Sequence, residues 1–358
     1  MTMERTLTHG GDWAGYRAEY GGQPLDFSAN VSPLGLPEGV RRAAADALED
    51  AHRYPDPLCR ALGEAIARAE GVSPDWVLCG NGAADLIWRA ALAGRPRRAL
   101  VTAPAFAEYE AALELAGCGT ERFPLRAEDG FALGEGFPEA VAPEVDLVFL
   151  CQPNNPTGRT VPRPLLERTL ARCREADALL VVDECFLELL DRPEDFAMKG
   201  FLGQYPNLLI LKAFTKLYAM AGLRLGYCLC ADTALLGRMR GAGQPWAVSG
   251  PAQAAGIAAL KETDYVEAVR ALIRAERPRL AAELGRLGLR VIPGEANYLL
   301  FYSPVPLGEA LRRRGVLIRD CSNYHGLGRG WYRTAVRGRE DNGRLIAALT
   351  EVWKEGTP

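Results

Sequence analysis

Short apolar runs recur through the middle of the chain with helical stretches between most of them, and this alternation constrains the fold more than any other feature. Strands are predicted at Trp76–Cys79, Ala99–Thr102, Val145–Cys151, Ala178–Asp183, Leu208–Leu211 and Leu225–Cys230. Runs such as DLVFLC and ALLVVD lack alternating polar positions, so both faces of these strands are buried. That is the pattern of an α/β fold, a mostly parallel sheet flanked by helices. At 358 residues the chain exceeds the usual size of a single core. A large domain over 41–270 is therefore expected beside a smaller C-terminal α/β domain over 271–358, preceded by an arm over 1–40.

The arm shows little periodicity; HGG, GG and SANVSPLGLP mark turns, residues 1–6 read as a disordered tail, and Phe27 reads as buried. Helices are predicted at Glu38–Glu49 and Leu58–Glu70. After Pro251 a long helical region is expected to form two helices broken near Arg277–Pro278. Strands at Leu289–Ile292, Asn297–Tyr302, Val316–Arg319 and Trp331–Val336 and a helix over Asn342–Lys354 complete the small domain.

In open α/β sheets, ligands gather beyond the carboxyl ends of the strands, and the informative residues fall there. Lys216 stands at the exit of an apolar run, eight residues before Arg224. Such a pair suits an imine-forming amine beside an anion clamp. The chain has only five lysines (Lys199, Lys212, Lys216, Lys261 and Lys354), so few others compete for that role. In CGNGAADLI the amides around Gly82, Ala83 and Ala84 open a helix and can cradle a phosphate, although many such turns hold no ligand. Asp183 ends an apolar strand, where a carboxylate is costly without a cationic partner. CQPNNPTG presents Asn155 in a turn set by Pro156 and Gly158. In WYRTAVR, the residues Trp331, Arg333, Ala335 and Arg337 share one strand face. Each segment also has a plain structural reading: an ion-paired lysine, an Asn-Pro turn, a solvated arginine.

Together, and in this order, the segments resemble the fold-type I aminotransferase superfamily, which uses pyridoxal 5'-phosphate (PLP). The resemblance runs from about His9 to the C-terminal helix. It implies that Lys216 holds the cofactor covalently and that Arg224 binds its phosphate, with Thr215 and the Gly82–Ala84 amides. Asn155 would bond the phenolic oxygen, and Asp183 would pair with the pyridine nitrogen and keep the ring an electron sink. Tyr109 of PAFAEYE would stack on the ring, with Phe106 in the core. The RYPDP loop resembles a segment that crosses a homodimer interface, so Tyr54 would reach the neighbour's cofactor phosphate. Phe186 stands where many relatives have tyrosine, and Ala213 where they usually have Ser or Thr.

The HGG arm with DFSANVSPLG and GVLIRDCSNYHGLG resembles the threonine-phosphate decarboxylases of the cobalamin pathway. That family converts O-phospho-L-threonine to (R)-1-aminopropan-2-yl phosphate. By resemblance Arg333 would clamp the substrate carboxylate, His9 and Arg319 its phosphate, and Asn30 would help close the site. Arg319 follows a different strand from Arg333, which permits well-separated clamps for the two anions. Arg337 is a second anion contact or, by a small preference, a solvated charge, and Asp12 replaces that family's usual asparagine. The alternative is histidinol-phosphate aminotransferase, which shares nearly all the cofactor motifs and also takes a phosphorylated substrate. A silent PLP-binding regulator would be expected to carry a DNA-binding domain, and a cofactor-free binding protein would leave Lys216 and Asp183 as coincidence.

The resemblance implies a small phosphorylated substrate, and composition fits a cytoplasmic enzyme. A net charge of -3 gives no basis for binding nucleic acid or an anionic membrane. MTMERTLTHGGDW lacks a signal-peptide core, and no apolar run is long enough to span a bilayer. The nine cysteines show no zinc spacing and read as reduced, mostly buried thiols.

Overall fold

The structure is a computed structural model that describes residues 9–356. The tail expected at residues 1–6 lies outside the described residues. The arm that follows is more regular than its sequence implied. Asp12 caps a helix, α1 (Trp13–Tyr20), by accepting from the Gly15 amide at 3.0 Å. Its carboxylate also meets Arg312 at 3.5 Å, so aspartate serves here as both cap and ion-pair partner. The helix escaped the sequence reading because Tyr16 is its only buried residue, which leaves no apolar stripe to detect. Strand β1 (Leu25–Asp26) leads into Phe27, which is fully buried.

After α2 (Glu38–Asp46) and α3 (Arg60–Glu70) comes the expected alternation. The first part runs β2 (Val77–Gly80), α4 (Gly82–Gly94), β3 (Arg98–Ala103), α5 (Glu108–Leu115) and β4 (Gly119–Pro124). The second runs β5 (Leu147–Cys151), α6 (Arg163–Glu175), β6 (Leu179–Asp183), β7 (Leu208–Ala213), α7 (Phe214–Leu217) and β8 (Gly226–Leu229). These strands form one seven-stranded sheet in the order β2-β8-β7-β6-β5-β3-β4. It is parallel from β4 to β7, while β8 runs antiparallel to both its neighbours. Val148, Leu150, Leu180, Val182 and Ile210 face one apolar core; Phe149, Val181, Leu209 and Leu211 face the other. Burial on both faces is what the unbroken apolar runs encode. The edge strand β4, GTERFP, was not anticipated, because Thr120, Glu121 and Arg122 interrupt any apolar run and none of its residues is buried.

Helices α8 (Thr233–Gly241) and α9 (Gly250–Ala259) precede a long helix, α10 (Thr263–Arg286). The break expected near Arg277–Pro278 is corrected: the helical region divides at Leu260–Glu262, and α10 runs through Pro278. Proline removes one backbone hydrogen bond there, but buried Ile273, Leu280 and Leu284 anchor the turns on both sides. The small domain adds β9 (Arg290–Val291), β10 (Tyr298–Tyr302), α11 (Gly308–Arg312), β11 (Val316–Leu317), β12 (Arg319–Asp320), β13 (Trp331–Ala335) and α12 (Arg339–Gly356). Its antiparallel sheet has the order β12-β13-β10-β9, and β1 of the arm pairs in parallel with β11. Phe27, Leu280, Phe301, Leu311 and Leu345 share the core beneath.

Among the described residues no helix is long and apolar enough to cross a membrane, and no cluster of His, Cys, Asp or Glu is arranged to hold a metal. All nine cysteines are free thiols, and all but Cys185 are buried.

Candidate active site

The carboxyl ends of β5, β6 and β7 open, with the arm and β13, onto a cavity of about 470 Å³. Lys216, Asp183, Asn155, Thr215, Ala83, Ala84 and Arg224 all line it. Lys216 sits in the single turn of α7 that closes β7, with its amine 5.5 Å from the Phe186 ring centroid. Burial, then the Arg333 and Arg224 guanidiniums, lower that amine to about 8. A substantial neutral fraction near physiological pH makes it a nucleophile. Lys212, four residues earlier, lies in a separate cavity and is 3% exposed. Its amine contacts Glu188 at 2.7 Å, Glu70 at 3.0 Å and Glu184 at 3.9 Å, which keep it protonated.

Asp183 accepts from the Tyr109 hydroxyl at 2.6 Å and from the Cys185 amide at 3.0 Å. The expected stacking role of Tyr109 is corrected by its position. Tyr109 is 1% exposed, lies outside the cavity lining, and stacks on Phe149 with centroids 4.7 Å apart. Phe106, assigned to the core from sequence, lines the cavity instead, edge-on to Tyr109. Both aromatics occur in PAFAEYE; Tyr109 starts the buried face of α5, whereas Phe106 precedes the helix and stays free to turn outward.

Gly82 opens α4 with φ +78, a left-handed value that favours glycine. A Cβ there would sit 2.7 Å from Arg224 Nη2, and one on Gly226 would sit 2.5 Å from the Ala83 amide. The two glycines let the α4 N-terminus, with its unpaired amides, close against β8 and Arg224. Gly82 thus shapes the cradle from outside the cavity lining.

On the opposite wall Arg319 and Arg333 are directly paired across β12 and β13. The expectation of widely separated clamps is corrected, since cross-strand partners project from one patch. Both arginines are buried and line the cavity. Arg333 donates to Asn155 Oδ1 and, at 3.0 Å, to the Ser28 carbonyl. Arg319 donates to Asn323 Oδ1 at 2.8 Å and lies 5.4 Å over the Tyr324 ring. Asn30 is 2% exposed in the cavity wall. His9 also lines the cavity, with Nε2 2.7 Å from Glu108 Oε1. Arg337 is neither a second anion contact nor a freely solvated charge: it pairs with Asp341 at 2.9 Å and donates to the Asp26 carbonyl. Tyr54 lies away from this cavity, 80% exposed and stacked on Trp246 at 4.5 Å.

Glu108, Ser28 and Tyr324 were not anticipated. They are brought in by the arm and by loop geometry, which carry no periodic signal. Glu108 alone left a trace, as an acidic residue opening a helix just after a strand.

The residues present fit PLP. Among the described residues, buried Asn30 Oδ1 and Arg333 Nε have no hydrogen-bond partner, as expected where a polar ligand completes the site. A nucleophilic lysine, a buried carboxylate and an amide cradle backed by arginine match an aldehyde, a pyridinium and a phosphate.

Comparison with known families matches residues 23–349 to Aminotransferase class I and II. Threonine-phosphate decarboxylase of Salmonella typhimurium is 41% identical over 334 residues, covering 92% of this chain and 91% of that protein. Histidinol-phosphate aminotransferase of Symbiobacterium thermophilum is 38% identical over 339 residues, covering 93% and 91%. Several relatives at 34 to 35% identity carry the latter name too. The structure of histidinol-phosphate aminotransferase from Sinorhizobium meliloti in complex with PLP superimposes with a TM-score of 0.84 at 25% identity, covering 98% of this chain and 96% of that one.

Proposed function

This chain belongs to the class I and II aminotransferase family of fold-type I PLP enzymes, and on that premise we propose that it reacts a small amine-bearing phosphate ester at Cα. The observation that carries this reading is the pairing of Arg319 with Arg333. Side chains directly opposite across an antiparallel pair start about 4.5–5.5 Å apart. Two guanidiniums so placed suit a short substrate with two anions separated by a few bonds. For O-phospho-L-threonine, Arg333 is assigned the carboxylate, Arg319 and His9 the phosphate, and Asn30 closes the site; histidinol phosphate has no carboxylate, so its phosphate falls to the arginine pair. On the cofactor side Lys216, Asp183, Asn155, Thr215, Arg224 and the Ala83 and Ala84 amides take the roles that the resemblance implies. Phe106 replaces Tyr109 as the ring-facing aromatic.

Bound PLP supplies an electron sink for negative charge at the substrate Cα. The protein's part is to orient the substrate and to move protons. Arg333 fixes the carboxylate while its other hydrogen bonds reach Asn155 and the arm. The Lys216 amine, held at about 8 by burial and the neighbouring guanidiniums, would take up or return a proton at the substrate Cα.

Transamination of histidinol phosphate has the broader support, from the names of several relatives and of the PLP-bound structure. One specific observation favours decarboxylation of O-phospho-L-threonine: the decarboxylase relative has the higher identity, 41% against 38%. The PLP-loaded protein should be given O-phospho-L-threonine in one arm and histidinol phosphate with 2-oxoglutarate in the other. Glutamate without CO₂ supports transamination, and CO₂ without glutamate supports decarboxylation. In either case Arg319→Ala should slow the phosphorylated substrate roughly ten- to more than hundredfold, far more than the dephosphorylated one. Equal slowing of both would remove Arg319 from the phosphate.

We also propose a homodimer in which the exposed Tyr54 reaches the neighbour's cofactor phosphate. A fully active monomer in sedimentation would end that idea.

A further inference from the structure

Most charged groups facing the cavity suit anions: Lys216, Arg224, Arg319 and Arg333. Glu108 does not. Its side chain is 22% exposed and it lines the same space. Both its oxygens are engaged by ring nitrogens. Oε1 meets His9 Nε2 at 2.7 Å, and Oε2 accepts from Trp88 Nε1 at 3.1 Å. The bond to His9 is the main cause that holds the Glu108 carboxyl below the usual range, so it stays charged. The Phe106 ring lies 5.6 Å from the imidazole centroid, tilted by 44°. A carboxylate that an indole holds from its other side, and a phenyl ring, thus meet one imidazole, and that imidazole belongs to the chain itself.

We propose that His9 fills an imidazole-sized subsite built by Glu108 and Phe106, with Trp88 holding the Glu108 carboxylate in place, and thereby selects against substrates whose side chain ends in an imidazole. The proposal deepens the reading of this cavity as a substrate site and rests on it. The arm delivers His9 in a fixed way. A Cβ on Gly10 would fall 2.5 Å from the Ser28 carbonyl oxygen, so the arm backbone lies flush against Ser28. The Gly11 amide donates to Ser28 Oγ at 2.8 Å, and the same Ser28 carbonyl accepts from Arg333. The plug is therefore tied to the residue assigned to the substrate carboxylate. It is also removable, because His9 is held by non-covalent contacts and its side chain is 44% exposed. A substrate imidazole must compete with a tethered one, whose effective concentration is on the order of millimolar. A compact substrate such as O-phospho-L-threonine leaves the plug in place, whereas histidinol phosphate must lift it.

The test compares full-length, PLP-loaded wild type with His9→Ala, using the change in the cofactor's visible band to read binding. Histidinol phosphate should bind His9→Ala about tenfold or more tightly than wild type, and free imidazole should then compete with it. The gain should vanish in the His9→Ala/Glu108→Ala double variant, while O-phospho-L-threonine should show no gain in any variant. Equal affinity of wild type and His9→Ala for histidinol phosphate would overturn the proposal. So would a gain that persists without Glu108, or an equal gain for both substrates, which would mark a general lid. An intact visible band in each variant separates these outcomes from loss of the cofactor site, and the wild-type product assays test the underlying reading separately.

Discussion

Replacing Lys212 with methionine should cost about 3–5 kcal/mol of folding stability, the largest single-residue loss expected outside the apolar cores. Lys212 is 3% exposed and is shared by Glu70, Glu184 and Glu188. Burial alone would raise the Glu70 carboxyl; Lys212, Tyr227 and Lys199 instead hold it at about 2. Burial pushes Glu184 up to about 7 even with Lys212 beside it. Removing the ammonium leaves these carboxylates to protonate or repel one another. Denaturant unfolding of the two proteins at pH 7 gives the difference, and a loss under about 1 kcal/mol would mean that the cluster does not depend on its lysine. The pH dependence has a definite sign. A carboxyl depressed in the folded state contributes stability above its unfolded value, and that contribution fades as pH falls toward the folded value. For Glu70 the window runs from about 4.5 down to about 2. Glu70→Gln should flatten the acid limb of the stability profile there.

Lys216→Ala should lower turnover by about 10²–10⁴-fold, the usual worth of a positioned acid–base group, with the fold intact. The Arg224 and α4 cradle remains, so the variant should still bind PLP noncovalently. In the wild type the rate of covalent PLP capture should rise with pH through about 8, where the Lys216 amine loses its proton. A rise centred near the ordinary lysine value would show the amine to be solvated rather than enclosed. Turnover within tenfold of wild type in Lys216→Ala would remove this lysine from the chemistry.

What could be read from the sequence divides along physical lines. Strands β5, β6 and β7 were legible because two-sided burial writes an unbroken apolar run, and the residues at their exits were legible with them. Lys216, Asp183 and Asn155 all face the cavity as expected. Tyr109 and Phe106 were exchanged because two aromatics three residues apart look alike in a string, and only the start of α5 decides which points inward. The adjacency of Arg319 and Arg333 depends on strand register in a small sheet, which neither residue's neighbours encode. The unbroken α10 defeated a rule that is sound for exposed helices, since tertiary packing outweighed the lost bond at Pro278. The contact of His9 with Glu108 spans 99 positions along the chain and left no local trace.

Borohydride reduction of the PLP-loaded protein, followed by peptide mapping, tests the central claim most directly, because it fixes the cofactor to whichever lysine holds it. The visible band should disappear and the cofactor's mass should appear on the peptide that contains Lys216. A tag on the peptide of Lys212, or bleaching with no tagged lysine, would contradict the account.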